Sequence, residues 1–281
     1  MASRLRRQKS GVIGVAILLG GDGQQQISDS FFMTLLGHVA EELNTRGYDL
    51  MLRRVIPERD DDWLDRLIGS AMIDGLIVIG QSDQFERIDS VARTYRPIVV
   101  WGNHQEGQQH CVVGTDNHLG GRFAAERLIT AGATNLAFFG DTSLIEFGAR
   151  FAGACEAAER VCVPIRQIST RLSLDHMAGE IAEHLQAVLP ECDGIFAASD
   201  ALAAACLQEL RKRSISLPKQ VRLVGFDDLP IAAQTSPQLT TVRQDIAAGA
   251  KGLVELLLRR LAGEDTDSLV VPPQLIVRET A

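Results

Sequence analysis

Short apolar runs that alternate with stretches of helical periodicity constrain this chain more than any other feature. Residues 11–19 (GVIGVAILL), 48–55, 74–80 (DGLIVIG), 97–101 (PIVVW) and 112–116 each read as a strand. Between them, residues 31–46 carry Phe32, Leu35, Leu36, Val39 and Leu43 at helical spacing and stop at Gly47. Residues 60–72 carry Trp63, Leu64, Leu67 and Ile68 in the same way, and 85–95 and 119–131 are helical too. The pattern then restarts. Strands at 135–140, 164–168, 194–198 and 221–226 alternate with helices at 146–161, 176–189 and 201–212. A helix over 246–261 and short strands at 269–271 and 274–277 close the chain. Near-continuous apolar strands separated by helices belong to the α/β class with parallel sheets, buried on both faces. Two successive series with late crossings predict two similar lobes, each a parallel sheet flanked by helices, joined by three crossing segments. The expected boundaries are 1–10 for a basic leading segment, 11–130 plus 244–267 for the first lobe, and 131–243 plus 268–281 for the second.

Composition narrows the function classes. The 281 residues are 46% hydrophobic and 23% charged, as in an ordinary globular protein. No apolar run is long enough to span a membrane, and the run after the basic Arg4, Arg6, Arg7 and Lys9 leads to no secretory cleavage site, so a cytoplasmic location is expected. A net charge of −8 makes the chain a poor nucleic-acid binder outside its first ten residues. The five cysteines are odd in number, lack C-x-x-C spacing and form no cluster with the histidines. Reduced, buried thiols are therefore expected, with no metal and no cofactor. Gly20-Gly21-Asp22-Gly23 runs into Gln24-Gln25-Gln26 and reads as a loop. No Walker A motif, no G-x-S-x-G elbow and no Ser/His/acid grouping is present, and no enzymatic activity is expected.

Where chemistry could sit follows from the strand ends. VRLVGFDD, residues 221–228, reads as a buried strand with Asp227 and Asp228 at its carboxyl tip. In open α/β sheets ligands bind just beyond such tips, although one acid could equally cap the next element. Pro237-Gln238-Leu239-Thr240-Thr241-Val242 then reads as a turn and an extended crossing. Asp116 ends another strand and either caps the following helix or touches ligand. Ser199-Asp200 sits at a third tip; Asp200 is expected to cap the next helix and Ser199 to meet the ligand. Arg150, read as opening a helix, offers five fixed donors suited to hydroxyls or a carboxylate.

Four stretches together resemble the lac/galactose repressor family of bacterial transcription regulators. They are DNHLGGRFAAERLITAG (116–132), Arg150-Phe151-Ala152-Gly153, IFAASDALAAACLQELRKRSISLP (195–218), and GFDD followed by LTTVRQD. The resemblance implies the type I periplasmic-binding-protein architecture and an effector-sensing, dimerising core. Ligand held between the lobes would allosterically control DNA binding by a helix-turn-helix headpiece that the 281 residues do not contain. It implies a short hinge at residues 3–10, unstructured without DNA, whose Leu5 wedges into the minor groove. It implies that Arg150 and Asp227 face each other across the ligand, that Gln244 reaches it, and that one of Phe31 and Phe32 stacks on it while the other is core. Leu174 stands where sugar-binding relatives place an aromatic, and Glu146 where a neutral polar residue is common. The expected partners are thus a sugar, amino sugar, polyol or nucleoside, a second copy of the chain, and operator DNA through the headpiece, with no membrane. The alternative is a solute-binding protein of a transport or sensing system.

Overall fold

The computed structural model describes residues 9–19, 26–81, 84–170 and 177–281. Leu5, the loop at 20–23 and Leu174 lie outside the described residues. In chain order the elements are β1 (Val12–Leu18), α1 (Ser30–Thr45), β2 (Asp49–Val55), a 3-10 turn (Pro57–Arg59), α2 (Trp63–Gly69), β3 (Gly75–Ile79), α3 (Phe85–Ala92), β4 (Ile98–Trp101), β5 (Cys111–Thr115) and α4 (Asn117–Thr130). They continue with β6 (Leu136–Phe139), α5 (Ile145–Glu159), β7 (Ile165–Ile168), α6 (Met177–Val188), β8 (Gly194–Ala197), α7 (Asp200–Lys212) and β9 (Arg222–Asp227). The last are α8 (Pro230–Gln234), β10 (Thr240–Arg243), α9 (Ile246–Leu261), β11 (Leu269–Val271) and β12 (Gln274–Ile276).

Two sheets result. The first runs β11-β5-β4-β3-β1-β2 and the second β12-β10-β9-β8-β6-β7. Among β1 to β5, and again among β6 to β10, neighbours pair in parallel. In each sheet the chain moves to one side of its first strand and then crosses to the other. The carboxyl ends of the strands at that reversal form the usual binding crevice of open α/β sheets. Helices on both faces explain why β3, GLIVI, and β8, GIFA, are buried at every position.

The chain divides into two compact units, 1–23, 32–113 and 246–269 in one, 24–31, 114–245 and 270–281 in the other. The change falls at Val113/Gly114, not at the expected residue 130, so α4 belongs to the second unit. Its packing gives the reason. A Cβ on Gly121 of α4 would lie 1.9 Å from the Arg150 carbonyl oxygen, and one on Gly153 of α5 would lie 1.9 Å from that of His118. The backbones of α4 and α5 therefore touch, a contact that only glycine at both points permits.

Two further differences have local causes. The helix expected over 60–72 is shorter, because the chain turns at Pro57–Arg59 and Asp60 binds Arg53 and Arg66 before α2 begins. The five-residue α8 has too few residues to show a periodicity.

In the first unit, His110 pins the loop ahead of β5. Its ring nitrogens meet Asp89 Oδ1 and Gln81 Nε2, each at 2.9 Å, and Gln81 Oε1 accepts from Asn103 N. Burial pushes the His110 imidazole below its usual range, and the hydrogen bond and charge of Asp89 work against that.

Candidate functional site

The second unit gathers a charged cluster around Arg150. The residue is 4% exposed and arises from the second turn of α5, not from a helix start as expected. Its guanidinium carbon lies 3.7 Å from the Phe226 ring centroid and 5.1 Å from that of Phe147. Aromatic faces favour a buried cation placed in this way. Gly120 makes room for the platform, since a Cβ there would come within 2.7 Å of the Phe226 ring. The glycines of the 116–132 and 150–153 stretches thus set where Arg150 lies.

Hydrogen bonds fix its orientation. Nε donates to Asn117 Oδ1 at 2.8 Å, and Nη1 donates to the Ala198 carbonyl at the end of β8. Asn117 is itself held, because its Nδ2 donates to the Thr115 carbonyl. Nη1 lies 3.9 Å from Asp227 Oδ1. Burial pulls the guanidinium below its usual range, and the charges of Asp227, Glu146 and, when ionised, Asp200 oppose that. Among the described residues, Nη2 has no hydrogen-bond partner.

Asp227 ends β9 with φ +121° and is 4% exposed. Gln244 Nε2 donates to its Oδ1 at 2.7 Å, and Gln244 N donates to its carbonyl. No described side chain donates to Oδ2. Burial pushes the Asp227 carboxyl up to about 7; Arg150 and Gln244 oppose that, Asp29 adds to it, and the Asp200 amide at the start of α7 opposes it. The second acid of the pair has another role. Asp228 binds Arg243 at 2.7 Å and Arg278 at 2.6 Å, and so fastens the tip of β9 to the end of β10 and to the chain after β12.

At the tip of β8 the cap falls to Ser199 and not, as expected, to Asp200. Ser199 is the N-cap of α7, its Oγ accepting from Leu202 N. Asp200 is wholly buried; its Oδ2 accepts from Leu229 N at 2.8 Å and its Oδ1 lies 2.6 Å from Thr241 Oγ1. A short serine reaches back to cap, whereas the longer aspartate reaches across to β10. Asp116 likewise caps α4 through Leu119 N.

The structure therefore brings Arg150, Asp227, Gln244 and Ser199 into one unit, with Glu146 in the first turn of α5 close enough for its charge to act on Arg150. Phe32 is buried in α1, the core outcome, and Phe31 is half-buried with its amide donating to Asp29. Sequence reasoning missed Asn117, Phe226 and Phe147. The first two stand inside the stretches that carried the family resemblance, and Phe147 precedes Arg150 by three residues, one helical turn.

The periplasmic binding protein-like domain matches residues 125–281. The chain belongs to the periplasmic binding protein-like family. It is 29% identical over 271 residues to the HTH-type transcriptional regulator DegA of Bacillus subtilis, covering 90% of this chain and 78% of that one. It is 27% identical over 285 residues to the ribose operon repressor of Halalkalibacterium halodurans, covering 100% and 82%. Among solved structures, the periplasmic binding protein/LacI transcriptional regulator from Alkaliphilus metalliredigens, complexed with D-xylulofuranose, superposes with a TM-score of 0.81 at 27% identity, covering 96% and 98%. Within the family this chain is the core of a transcription regulator of the lac/galactose repressor type, and the transport reading falls behind it.

Proposed function

We propose that this regulator core senses a small polyhydroxylated effector, a sugar or sugar-like molecule, through Arg150 and Asp227, and that it is a sensor and not a catalyst. One observation carries the reading. The buried pair keeps one donor, Arg150 Nη2, and one acceptor, Asp227 Oδ2, without a described hydrogen-bonding side chain, while its other polar atoms are held in place. A hydroxyl group both accepts and donates, so it suits such a pair. Ser199 Oγ, Gln244 and Asp116 border the pair's elements and complete the proposed site, with Glu146 and one face of Phe31 contributing. The sugar named with the ribose operon repressor and the D-xylulofuranose in the A. metalliredigens complex support this chemical class for the present chain.

On this reading the effector alters operator affinity in a cytoplasmic homodimer whose headpiece lies outside these 281 residues. Differential affinity of the effector for two states of the core is what such coupling requires. The test is a thermal-shift screen of pentoses, hexoses, amino sugars, polyols and nucleosides, followed by calorimetry on the hit. Charge-assisted hydrogen bonds contribute about 1.5–3 kcal/mol each, so Arg150→Lys and Asp227→Asn should each weaken binding about ten- to a hundredfold. Unchanged affinity in both variants would remove these residues from the site. Light scattering that gives a monomer mass at micromolar concentration would refute the dimer.

A further inference from the structure

The cluster holds two buried acids and one cation. Asp227 approaches Arg150 Nη1 at 3.9 Å, but Asp200 makes no ion pair among the described residues. Asp200 is 0% exposed, and its two oxygens meet only a backbone amide and a hydroxyl. Close packing leaves no room for a compensating ion or water on the β9 side, where a Cβ on Gly225 would already stand 2.5 Å from Oδ1. A carboxylate without a cation in such surroundings is costlier than the neutral acid. The hydrogen bonds also fit the acid. Oδ2 accepts from Leu229 N, and the 2.6 Å separation between Oδ1 and Thr241 Oγ1 suits an O–H donated by either partner.

We propose that Asp200 is held as a neutral carboxylic acid whose Oδ1–H donates to Thr241 Oγ1, and that in this form it is a positioning residue for Asp227. With Oδ2 it holds the Leu229 amide just beyond Asp227 and Asp228, whose φ values of +121° and +57° place the β9 tip in backbone regions unusual for non-glycine residues. With Oδ1 it ties α7 to β10, which leads to Gln244, the residue that holds Asp227 from the other side. As a neutral group it leaves the single guanidinium to Asp227. The part of this inference that concerns effector binding rests on the reading of Asp227 given above; the protonation of Asp200 does not.

The groups that act on the two acids come from every side. Arg150 on α5, Asp29 ahead of α1 and Gln244 after β10 act on Asp227. Asp227, Asp228, Thr241 and Leu229 act on Asp200, and Arg150 is near enough to interact with its ionised form; burial together with the Asp227 charge nonetheless pushes its carboxyl well above the ordinary aspartate range. The Asp227 charge, where it is present, thus favours the neutral form of Asp200.

The test needs no effector, so it separates this inference from the binding proposal. Carboxyl carbon-13 shifts of aspartate-labelled protein are followed between about pH 5 and 9, with Asp200→Asn and Asp227→Asn supplying the assignments. The Asp200 resonance should stay at the position of an un-ionised acid throughout. In Asp200→Asn the amide replaces the neutral acid in both hydrogen bonds, so the protein should fold and the Asp227 midpoint should stay near its wild-type value. A purely structural role for an ionised Asp200 predicts otherwise: removal of a neighbouring negative charge would lower that midpoint by about a unit or more. Such a drop, an Asp200 resonance that titrates below pH 7, or failure of Asp200→Asn to fold would each overturn the proposal.

Discussion

Replacing Arg150 with methionine should destabilise the second unit, and by an amount that depends on pH. Methionine keeps much of the packing against Phe226 and Phe147 but removes the hydrogen bonds to Asn117 and Ala198 and the cation beside Asp227. Breaking one partner of a buried pair costs about 3–5 kcal/mol when the remaining charge must stay ionised. Below the Asp227 midpoint of about 7 the acid is already protonated in the wild type, so there the loss is confined to packing and hydrogen bonds. Arg150 holds that midpoint down; without it the midpoint rises, and each unit of rise adds about 1.4 kcal/mol of extra loss above the wild-type midpoint. Urea unfolding of both proteins at pH 5.5 and pH 8.5, with the second unit followed by an engineered probe, should therefore give about 3–5 kcal/mol at the higher pH and at least about 1 kcal/mol less at the lower. A loss under about 1 kcal/mol, or one identical at the two pH values, would refute the placement of Arg150 as the cation that Asp227 depends on.

Three further outcomes follow from the same structure. The Asp227 carboxyl is raised in the folded state from an ordinary 3.8, so its contribution to stability is complete below that value and is lost as pH rises to about 7; Asp227→Asn should flatten that fall in pH-dependent urea melts. Gly121→Ala should cost about 1–3 kcal/mol or more despite the better helix propensity of alanine, because the new methyl group meets the Arg150 carbonyl, and a melt unchanged from wild type would contradict the α4–α5 contact. The folded-state pKa of His110 is lowered, so the unfolded chain takes up its proton first as pH falls through about 6.5; His110 therefore costs stability at pH 5.5 relative to pH 7, opposite in sign to Asp227, and His110→Gln should raise stability at pH 5.5 relative to pH 7 when compared with the wild type in paired melts.

Much of this protein was legible in its sequence. Strand and helix alternation and the restart near residue 135 were enough to place the fold class, because periodicity is a property of the chain itself, and the stretches around Asp116, Arg150, Ser199 and Asp227 carried the resemblance to the family. The same residues did not show which acid carries which role. Asp227 and Asp228 are adjacent, yet one is buried beside Arg150 and the other is spanned by Arg243 and Arg278. Ser199 and Asp200 are adjacent as well, and the serine caps α7 while the aspartate is locked to Leu229 and Thr241. Arg150 read as a residue at a helix start and proved to be a buried, stacked cation. Those outcomes depend on burial and on partners distant along the chain, such as Ala198, Phe226 and Asp227 around Arg150. Local pattern records which side chains are available at a strand tip; only the packed structure decides which of them lose water, which find an opposite charge, and which keep a proton.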